Sequence, residues 1–347
     1  MEIPSYWPEP VIPVQFLAES GITSIPETYV KPPSERPSSD SVDYERDTGI
    51  PLVDLGGLER SPTERDATIR QIADACKDWG FFQVSNHGVD PYLVKRMRDA
   101  AKQAYANTPE TYEGYGSRLG VEKGAILDWG DYFFLIFKPD SLKNREKWPA
   151  LPHTCKNDRT VRTGTDEAVR TLNGGTFDEP GLETRRLQEA FGGMDGVSVN
   201  LRVNFYPRCP HPDLTLGLSA HSDPGILTIL LPDERVKGLQ IYKDGAWVTV
   251  HPVPDTFIIN IADQIQILTN GLYKSSVHRV VVNPAEERIS FAFFYNPRID
   301  LILSPLPELV TAEQPPLYEA MAYDEYRKYI RIKGPRGKSQ LESMKAL

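Results

Sequence analysis

Apolar positions change their spacing near the middle of the chain. In residues 64–77 they recur at helical intervals, and a second helix is predicted for about 91–106. From Val197 onward, short β-rich runs alternate with turn signals such as the Asp-Pro-Gly of 223–225, a pattern typical of a sandwich or barrel. A final helix is predicted over roughly 318–332. The pattern therefore predicts one α+β domain, mainly β, in which helices buttress a barrel.

Three short segments of the first half are predicted to be strands that join this barrel. They are residues 50–55, residues 80–84 and the apolar, aromatic stretch 126–137. Residues 1–48, which precede them, are rich in proline, serine and charge. We expect this stretch to be an irregular arm laid over the body of the protein.

Composition narrows the class of protein. Of the 347 residues, 40% are hydrophobic and 25% are charged, which is ordinary for a globular protein with a sizeable core. The net charge of −9 argues against broad binding to nucleic acid or to anionic membranes. No apolar run approaches the roughly 20 residues that span a bilayer, and the N-terminus does not resemble a signal peptide. We therefore expect a cytoplasmic protein that binds neither nucleic acid nor membrane. We also expect a monomer.

Two His-x-Asp pairs are candidate metal ligands. Residues i and i+2 of an extended segment point to the same face, so His211 with Asp213, or His221 with Asp223, could offer both groups to one ion. The first pair lies between prolines, whereas the second follows a strand-like run and ends in a sharp turn. His278, at the start of a β-branched strand, is a candidate third ligand. Two histidines and one carboxylate form the facial triad of non-haem Fe(II) oxygenases.

Polar residues on two predicted strands point to a carboxylate site. Arg288 and Ser290 lie two positions apart on the strand after the third histidine, and a guanidinium beside a hydroxyl suits a carboxylate. Residues 201–206 alternate strictly, with apolar positions on the core face. The other face carries Arg202, Asn204 and Tyr206. This polar face indicates the lining of a polar cavity rather than a solvated strand.

In combination, these residues resemble the motifs of plant 2-oxoglutarate/Fe(II)-dependent dioxygenases. The motifs are NFYPRCP at 204–210, His221-Ser222-Asp223, His278 and Arg288-Ile289-Ser290. Residues 50–55 and WGFFQVSNHG at 79–88 are similar to the N-terminal module of that family. The resemblance runs from about residue 50 to residue 335. It implies a double-stranded β-helix, or jelly roll, with flanking helices.

The same resemblance implies the cofactors and their ligands. Fe(II) would be held by His221, Asp223 and His278. The distal carboxylate of 2-oxoglutarate would be bound by Arg288 and Ser290, supported by Tyr206 and Asn204. The implied reaction hydroxylates a substrate C–H with O2 while the co-substrate 2-oxoglutarate is decarboxylated to succinate, and ascorbate is an expected activator. His87 belongs to a structural turn in this scheme.

Three further stretches are similar to the jasmonate-induced oxygenases, or jasmonic acid oxidases: 113–118, 121–129 and 326–339. That clade hydroxylates jasmonic acid to 12-hydroxyjasmonate and so lowers the hormone available for signalling. The same reaction is the hypothesis here. The substrate carboxylate is expected to bind Arg202, Arg327 and Arg331. The pocket walls are expected to include Phe294, Tyr323 and one of Phe133 and Phe134.

Two departures from the family keep alternatives open. A piece of helix is missing between Ala100 and Ala104, and residues 156–186, rich in Thr, Gly and Arg, replace a long amphipathic helix. A frameshifted or mis-spliced gene model would produce such a run. One alternative is therefore an inactive homologue that only binds a ligand. The other is a flavonoid or other specialised-metabolite dioxygenase. Its neutral polyphenol substrate would not require three arginines, so the arginines favour the carboxylic acid.

The expected organisation follows from these boundaries. An irregular arm (1–48) precedes an N-terminal dioxygenase module (49–155) and the atypical segment (156–186). The jelly-roll core with its C-terminal helix (187–335) and a tail (336–347) complete the chain.

Overall fold

Two β-sheets form the centre of the computed structural model, which describes residues 11–37, 49–106, 124–143, 189–334 and 337–345. The strands are β1 (Leu52–Asp54), β2 (Phe81–Ser85), β3 (Asp131–Lys138), β4 (Ser198–Tyr206), β5 (Leu218–His221), β6 (Leu227–Leu231), β7 (Leu239–Lys243), β8 (Ala246–Thr249), β9 (Phe257–Ile261), β10 (His278–Val280), β11 (Arg288–Asn296), β12 (Ile302–Leu303) and β13 (Met321–Ala322). The major sheet has the order β1-β2-β9-β6-β11-β4-β3, and the minor sheet has the order β5-β10-β7-β8. The predicted segment 156–186 lies outside the described residues.

Helices flank these sheets. They are α1 (Val14–Glu19), α2 (Pro62–Asp78), α3 (Pro91–Ala106), α4 (Gly193–Gly196), α5 (Asp263–Leu268), α6 (Tyr323–Lys333) and α7 (Ser339–Ser343). A capping box opens α2, since Ser61 Oγ accepts from the Glu64 N–H and the Glu64 carboxylate accepts from the Ser61 N–H. The predictions of helices over 64–77 and 91–106 are confirmed, and α3 continues unbroken through 100–104. Within the described residues, no helix combines the length and the apolar character needed to cross a bilayer.

Two predicted boundaries were wrong because long-range contacts override the local pattern. The final helix begins at Tyr323 rather than near residue 318, because β13 pairs with β12 just before it. The strand predicted over 126–137 begins only at Asp131. Before that point the Leu127 N–H donates to the carbonyl of Thr28 in the N-terminal arm, and the Trp129 N–H donates to that of Leu216 just before β5, so this stretch is bound to segments outside the major sheet.

The two faces of the major sheet have different partners. One face packs in a buried cluster with apolar residues of α2 and α3, and its members on the sheet include Phe82, Ile229, Phe291, Val203 and Phe133. Directly paired residues of antiparallel strands share a face. The pairs Arg288–Tyr206, Ser290–Asn204 and Ala292–Arg202 therefore lie on the opposite face. The alternation predicted for 201–206 is confirmed.

The minor sheet covers this second face and closes the barrel. Ring centroids of His278 on β10 and Phe81 on β2 lie 5.2 Å apart, in an edge-on arrangement. A buried apolar cluster also spans both sheets, with Ile258 from the major sheet and Leu239 and Ile241 from the minor sheet. The predicted jelly-roll barrel buttressed by helices is confirmed.

Residues 11–37 of the N-terminal arm lie against the barrel. The carboxylate of Asp131 accepts hydrogen bonds from the backbone N–H groups of Val14 (3.0 Å) and Gln15 (2.7 Å) at the start of α1. Tyr29 is buried edge-on to Trp129, with ring centroids 5.2 Å apart. These contacts fasten the arm to the residues that lead into β3.

Candidate active site

Three predicted metal ligands converge at one end of the barrel. β5 ends at His221, Asp223 follows two residues later, and His278 opens β10 directly opposite His221. The Nε2 atoms of the two histidines lie 3.5 and 3.8 Å from Oδ1 of Asp223. One candidate ligand atom from each residue falls within 4.8 Å of the other two. Residues far apart in sequence therefore present two imidazoles and one carboxylate to a single point.

Each imidazole makes a hydrogen bond on the side away from the candidate metal position, and this bond determines which ring nitrogen faces the metal position. Nδ1 of His221 lies 2.9 Å from the carbonyl oxygen of Ser219, and Nδ1 of His278 lies 3.2 Å from that of Ser276. Because a carbonyl oxygen only accepts, each Nδ1 carries the proton and each Nε2 presents a lone pair. Burial, together with the neighbouring His221, lowers the pKa of His278 to about 4, so this ring is neutral near pH 7.

The carboxylate of Asp223 is oriented in the same way. Its Oδ2 accepts from the Thr228 hydroxyl (2.6 Å) and from the Asn260 amide (2.6 Å), which leaves Oδ1 towards the histidines. Burial raises the pKa of this carboxyl group, but His278, His221 and the Thr228 hydrogen bond outweigh burial and hold the pKa well below its usual range. Asp223 is therefore an anionic ligand at neutral pH.

Thr228 and Asn260 were not identified from the sequence. Each is the one polar residue of an otherwise apolar strand, LTILL in β6 and FIINI in β9. They are also directly paired in the sheet, so both point into the barrel. A lone polar residue in an apolar strand is the signal that would have identified them.

The other candidate histidines lie elsewhere. Nε2 of His211 is 3.1 Å from the carbonyl oxygen of Thr23 in the N-terminal arm, so the His211–Asp213 pair is not part of the metal centre. The His87 ring packs edge-on to Phe257 and its Nε2 lies 3.2 Å from a backbone carbonyl oxygen. These contacts agree with the structural role predicted for His87.

The residues predicted to bind 2-oxoglutarate form one polar patch on β4 and β11. Arg288 pairs with Tyr206 and Ser290 pairs with Asn204 across the two strands. The Ser290 hydroxyl oxygen accepts from Arg288 Nη1 (3.3 Å) and from the Asn204 amide (3.5 Å). The Arg288 guanidinium carbon lies 5.3 Å from the centre of the Tyr206 ring. All four residues are buried.

Glycines without predicted roles shape this patch. A Cβ atom added to Gly217 would lie 2.7 Å from the Tyr206 ring, and one added to Gly130 would lie 2.9 Å from it. A Cβ atom at Gly238 would lie 3.0 Å from Cδ of Arg288. The backbone at these positions therefore packs directly against the tyrosine and the arginine, and no larger residue fits without displacing them.

Unpartnered polar atoms inside the barrel match the implied cofactors. Among the described residues, the buried Nε atoms of Arg288 and Arg202 have no hydrogen-bond partner. Leaving such a group unpaired costs about 1–3 kcal/mol, and more when the group is charged. A dicarboxylate beside a metal ion would supply acceptors to buried guanidinium groups. The ligand set and the free donors therefore fit a divalent iron with 2-oxoglutarate.

Arg202, a predicted substrate ligand, lies on the inner face between β3 and β11. It pairs with Phe134 on one side and Ala292 on the other, and its guanidinium carbon lies 4.1 Å above the Tyr132 ring. Phe134 is half-buried on this face. Phe133, named as an alternative wall residue, faces the outer cluster with the helices and is excluded. Tyr132 was not identified from the sequence.

Phe294 is half-buried on the inner face and pairs with Thr228, the residue that binds Asp223. It therefore lies beside the metal centre. Position alone supports its predicted role in the pocket wall.

Predicted residues of α6 lie in different surroundings. Tyr323 is buried, and its hydroxyl donates to Oδ1 of Asn296 at 2.7 Å. Arg327 is 46% exposed and donates from Nε to Asp324 of the same helix at 3.0 Å. The side chain of Arg331 lies outside the described part of the chain. The convergence of three arginines thus stays a prediction.

Comparisons with known proteins agree with this geometry. Residues 198–297 match the 2OG-Fe(II) oxygenase superfamily, and residues 50–151 match the family described as non-haem dioxygenase in morphine synthesis N-terminal. Jasmonate-induced oxygenase 1 of Arabidopsis thaliana is 51% identical over 354 residues, which cover 97% of this chain and 87% of that protein. Jasmonate-induced oxygenase 2 of the same organism is 51% identical over 352 residues, which cover 97% and 94%.

A solved structure extends the likeness to the whole fold. The crystal structure of JOX2 in complex with 2OG, Fe and JA has a TM-score of 0.85 to this structure, at 46% sequence identity. The match covers 99% of this chain and all of that chain.

Proposed function

The chain belongs to the 2OG-Fe(II) oxygenase superfamily, and we propose that it hydroxylates jasmonic acid to 12-hydroxyjasmonate. The substrate assignment rests on Arg202, whose guanidinium lies on the inner face of the barrel and whose Nε has no partner in the part of the chain that the structure describes. Two relatives with 51% sequence identity are named jasmonate-induced oxygenases, and the similar JOX2 structure is a complex with JA. The reaction would lower the hormone available for signalling.

The implied cofactors fit the residues described above. His221, Asp223 and His278 would hold Fe(II) through two Nε2 atoms and one carboxylate oxygen, which leaves other coordination positions open. The distal carboxylate of 2-oxoglutarate would bind Arg288 and Ser290. When bound, the iron and 2-oxoglutarate supply oxidising chemistry in which O2 yields succinate, CO2 and a hydroxylated substrate carbon.

The protein itself binds and orients the substrate. A guanidinium stacked on an aromatic face is preorganised and weakly hydrated, so Arg202 above Tyr132 is suited to a carboxylate. Phe134 lies next to it and Phe294 lies beside the metal centre, which gives the pocket apolar walls. A cation beside aromatic walls favours a small lipophilic acid. A neutral flavonoid would leave the Arg202 charge unpaired.

Succinate release tests the proposal. The protein is loaded with Fe(II) and supplied with 2-oxoglutarate, O2 and ascorbate, and succinate and oxidised product are measured with and without jasmonic acid. We expect jasmonate-dependent succinate and a product that carries one added oxygen atom. Replacing Arg202 by Met should lower kcat/KM for jasmonic acid by about 10- to 100-fold, because a charge-assisted hydrogen bond contributes about 1.5–3 kcal/mol.

Arg298→Met is the matched control, because that arginine is exposed and pairs with Asp300 at the surface. Folded protein that binds 2-oxoglutarate but releases no succinate with jasmonic acid would overturn the substrate assignment. Turnover of a flavonoid instead would favour the alternative of a flavonoid or other specialised-metabolite dioxygenase. Ligand binding without any turnover would favour an inactive homologue. The cytoplasmic location and monomeric state stay predictions.

A further inference from the structure

A buried carboxyl group outside the candidate ligands joins several parts of the site. Asp263 opens α5, and only 1% of it is exposed. Its Oδ2 accepts from the hydroxyls of Ser222 (3.1 Å) and Tyr326 (2.7 Å), and its Oδ1 accepts from that of Ser275 (2.6 Å). Three hydroxyl groups from three distant segments thus meet at one carboxylate.

Each of these segments carries predicted functional residues. Ser222 lies between the candidate metal ligands His221 and Asp223, and Ser275 precedes His278 by three positions. Tyr326 lies on α6, beside Arg327. The Asp263 carboxylate is therefore in contact with both ligand-bearing segments and with the helix predicted to bind the substrate.

Backbone contacts hold the same ligand segment from two sides. The Asp263 N–H donates to the carbonyl of Asp223 at 2.8 Å. From the other side, the Gly337 N–H donates to the carbonyl of Ala220 at 2.7 Å, and the Ser222 N–H donates to the carbonyl of Gly337 at 3.2 Å. The turn that carries the carboxylate ligand is thereby fixed between α5 and the C-terminal segment.

We propose that Asp263 is a positioning residue that holds the metal-binding segments and helix α6 in one arrangement. The α6 part rests on the function proposed above, whereas the metal part does not. Burial raises the pKa of Asp263, while the hydrogen bonds from Ser275, Tyr326 and Ser222 oppose that rise. A fully satisfied buried network of this kind specifies one geometry, and losing a member leaves the others without partners.

Two measurements test the two parts of the proposal separately: metal affinity tests the metal part, and KM for jasmonic acid tests the α6 part. Co(II) serves as the metal probe, because it prefers similar ligands and its titration needs no turnover. Ser275→Ala removes one hydroxyl near the ligands, and Asp263→Ala removes the carboxyl group. Each should weaken Co(II) binding about tenfold, the smaller of the losses typical for residues that contact metal ligands. Tyr326→Phe should leave Co(II) affinity within about twofold and raise KM for jasmonic acid with little change in kcat.

Thr269→Val is the matched control. Thr269 is buried at the C-terminal end of the same helix, and its hydroxyl donates to the carbonyl of Ile265 at 2.7 Å. We expect this variant to lose thermal stability without losing Co(II) affinity. Asp263→Asn keeps the shape and one acceptor oxygen, so its Co(II) affinity should fall between those of the wild type and Asp263→Ala.

Unchanged Co(II) affinity in folded Ser275→Ala and Asp263→Asn would overturn the metal part of the proposal. If Asp263→Ala does not fold, those two milder variants decide the question. An unchanged KM for jasmonic acid in Tyr326→Phe would overturn the α6 part. Wild-type protein that binds Co(II) but does not oxidise jasmonic acid would overturn the proposed function alone, and the Co(II) comparison would still decide the metal part.

Discussion

Lys31 and Asp128 form an ion pair at 2.8 Å, with only 2% and 12% of their side chains exposed. Lys31 also donates to the hydroxyl of Ser219 at 2.8 Å, and that hydroxyl donates to Asp128 at 2.6 Å. The carbonyl of Ser219 in turn accepts from Nδ1 of His221. A residue of the N-terminal arm therefore anchors the residue that orients a candidate metal ligand.

Breaking this pair should destabilise the protein strongly. Lys31→Met leaves the Asp128 carboxylate buried without its cation, and removing one partner of a buried pair costs about 3–5 kcal/mol. The free energy of unfolding, measured by urea denaturation, should fall by that amount. Lys345→Met is the control, because Lys345 (56% exposed) pairs with Glu342 (52% exposed), and exposed pairs contribute about 1 kcal/mol or less. Equal losses of unfolding free energy in the two variants would contradict a stabilising role for the Lys31–Asp128 pair.

Removing a candidate ligand should abolish metal binding. His221→Ala takes away one of the two Nε2 atoms that would bind the metal. Loss of a residue that only contacts a ligand lowers metal affinity by up to about 100-fold, so Co(II) affinity should fall by more than that here. Isothermal titration of metal-free protein measures this. His211→Ala is a matched control, since His211 belongs to the second His-x-Asp pair but lies against the N-terminal arm. Comparable losses in both variants would exclude the assigned centre.

The sequence predicted those parts of the fold and site that depend on local pattern. Helical spacing identified α2, and strict alternation in 201–206 identified the face that carries Arg202 and Asn204. The His-x-Asp pair could be assigned because two side chains on one extended segment share a face. Its partner His278 was assigned with the help of the family motif.

Residues whose roles depend on cross-strand neighbours were missed. Thr228 and Asn260 orient Asp223 only because β6 and β9 pair in one register and bring both residues inward. Gly217 matters because the Tyr206 ring packs on its backbone, a contact that no local spacing reveals. Lys31 is distant in sequence from both of its partners. Such relationships follow from tertiary packing, which periodicity alone does not specify.

The glycine beside Tyr206 should be intolerant of substitution. Gly217→Ala would place a Cβ atom 2.7 Å from that ring, and overpacking of this kind costs about 1–3 kcal/mol. We expect weaker binding of 2-oxoglutarate to Co(II)-loaded protein, because Tyr206 lies against Arg288. Gly49→Ala is the control, since a Cβ there would have no described atom within 4 Å apart from those of its chain neighbours. Unaltered 2-oxoglutarate affinity in Gly217→Ala would show that the ring moves without affecting the site.

The guanidinium of Arg288, not only its charge, should be required. Lysine keeps the charge but cannot bind a carboxylate through two parallel hydrogen bonds, so Arg288→Lys should raise the Kd for 2-oxoglutarate about tenfold. Titration of 2-oxoglutarate into Co(II)-loaded protein measures the change. Arg298→Lys provides the comparison, because Arg298 is exposed and pairs with Asp300 at the surface. A Kd that does not change in Arg288→Lys would assign the distal carboxylate to other residues.

Jasmonic acid and its methyl ester differ at the one group that Arg202 is proposed to bind. The ester has no negative charge, so wild-type protein should prefer the acid in kcat/KM by about 10- to 100-fold, the value of one charge-assisted contact. Arg202→Met should lower turnover of the acid and leave turnover of the ester nearly unchanged, which removes the preference. Succinate release with each substrate measures both effects. A variant that loses acid and ester turnover equally would indicate that Arg202 maintains the pocket wall over Tyr132 instead of binding the carboxylate.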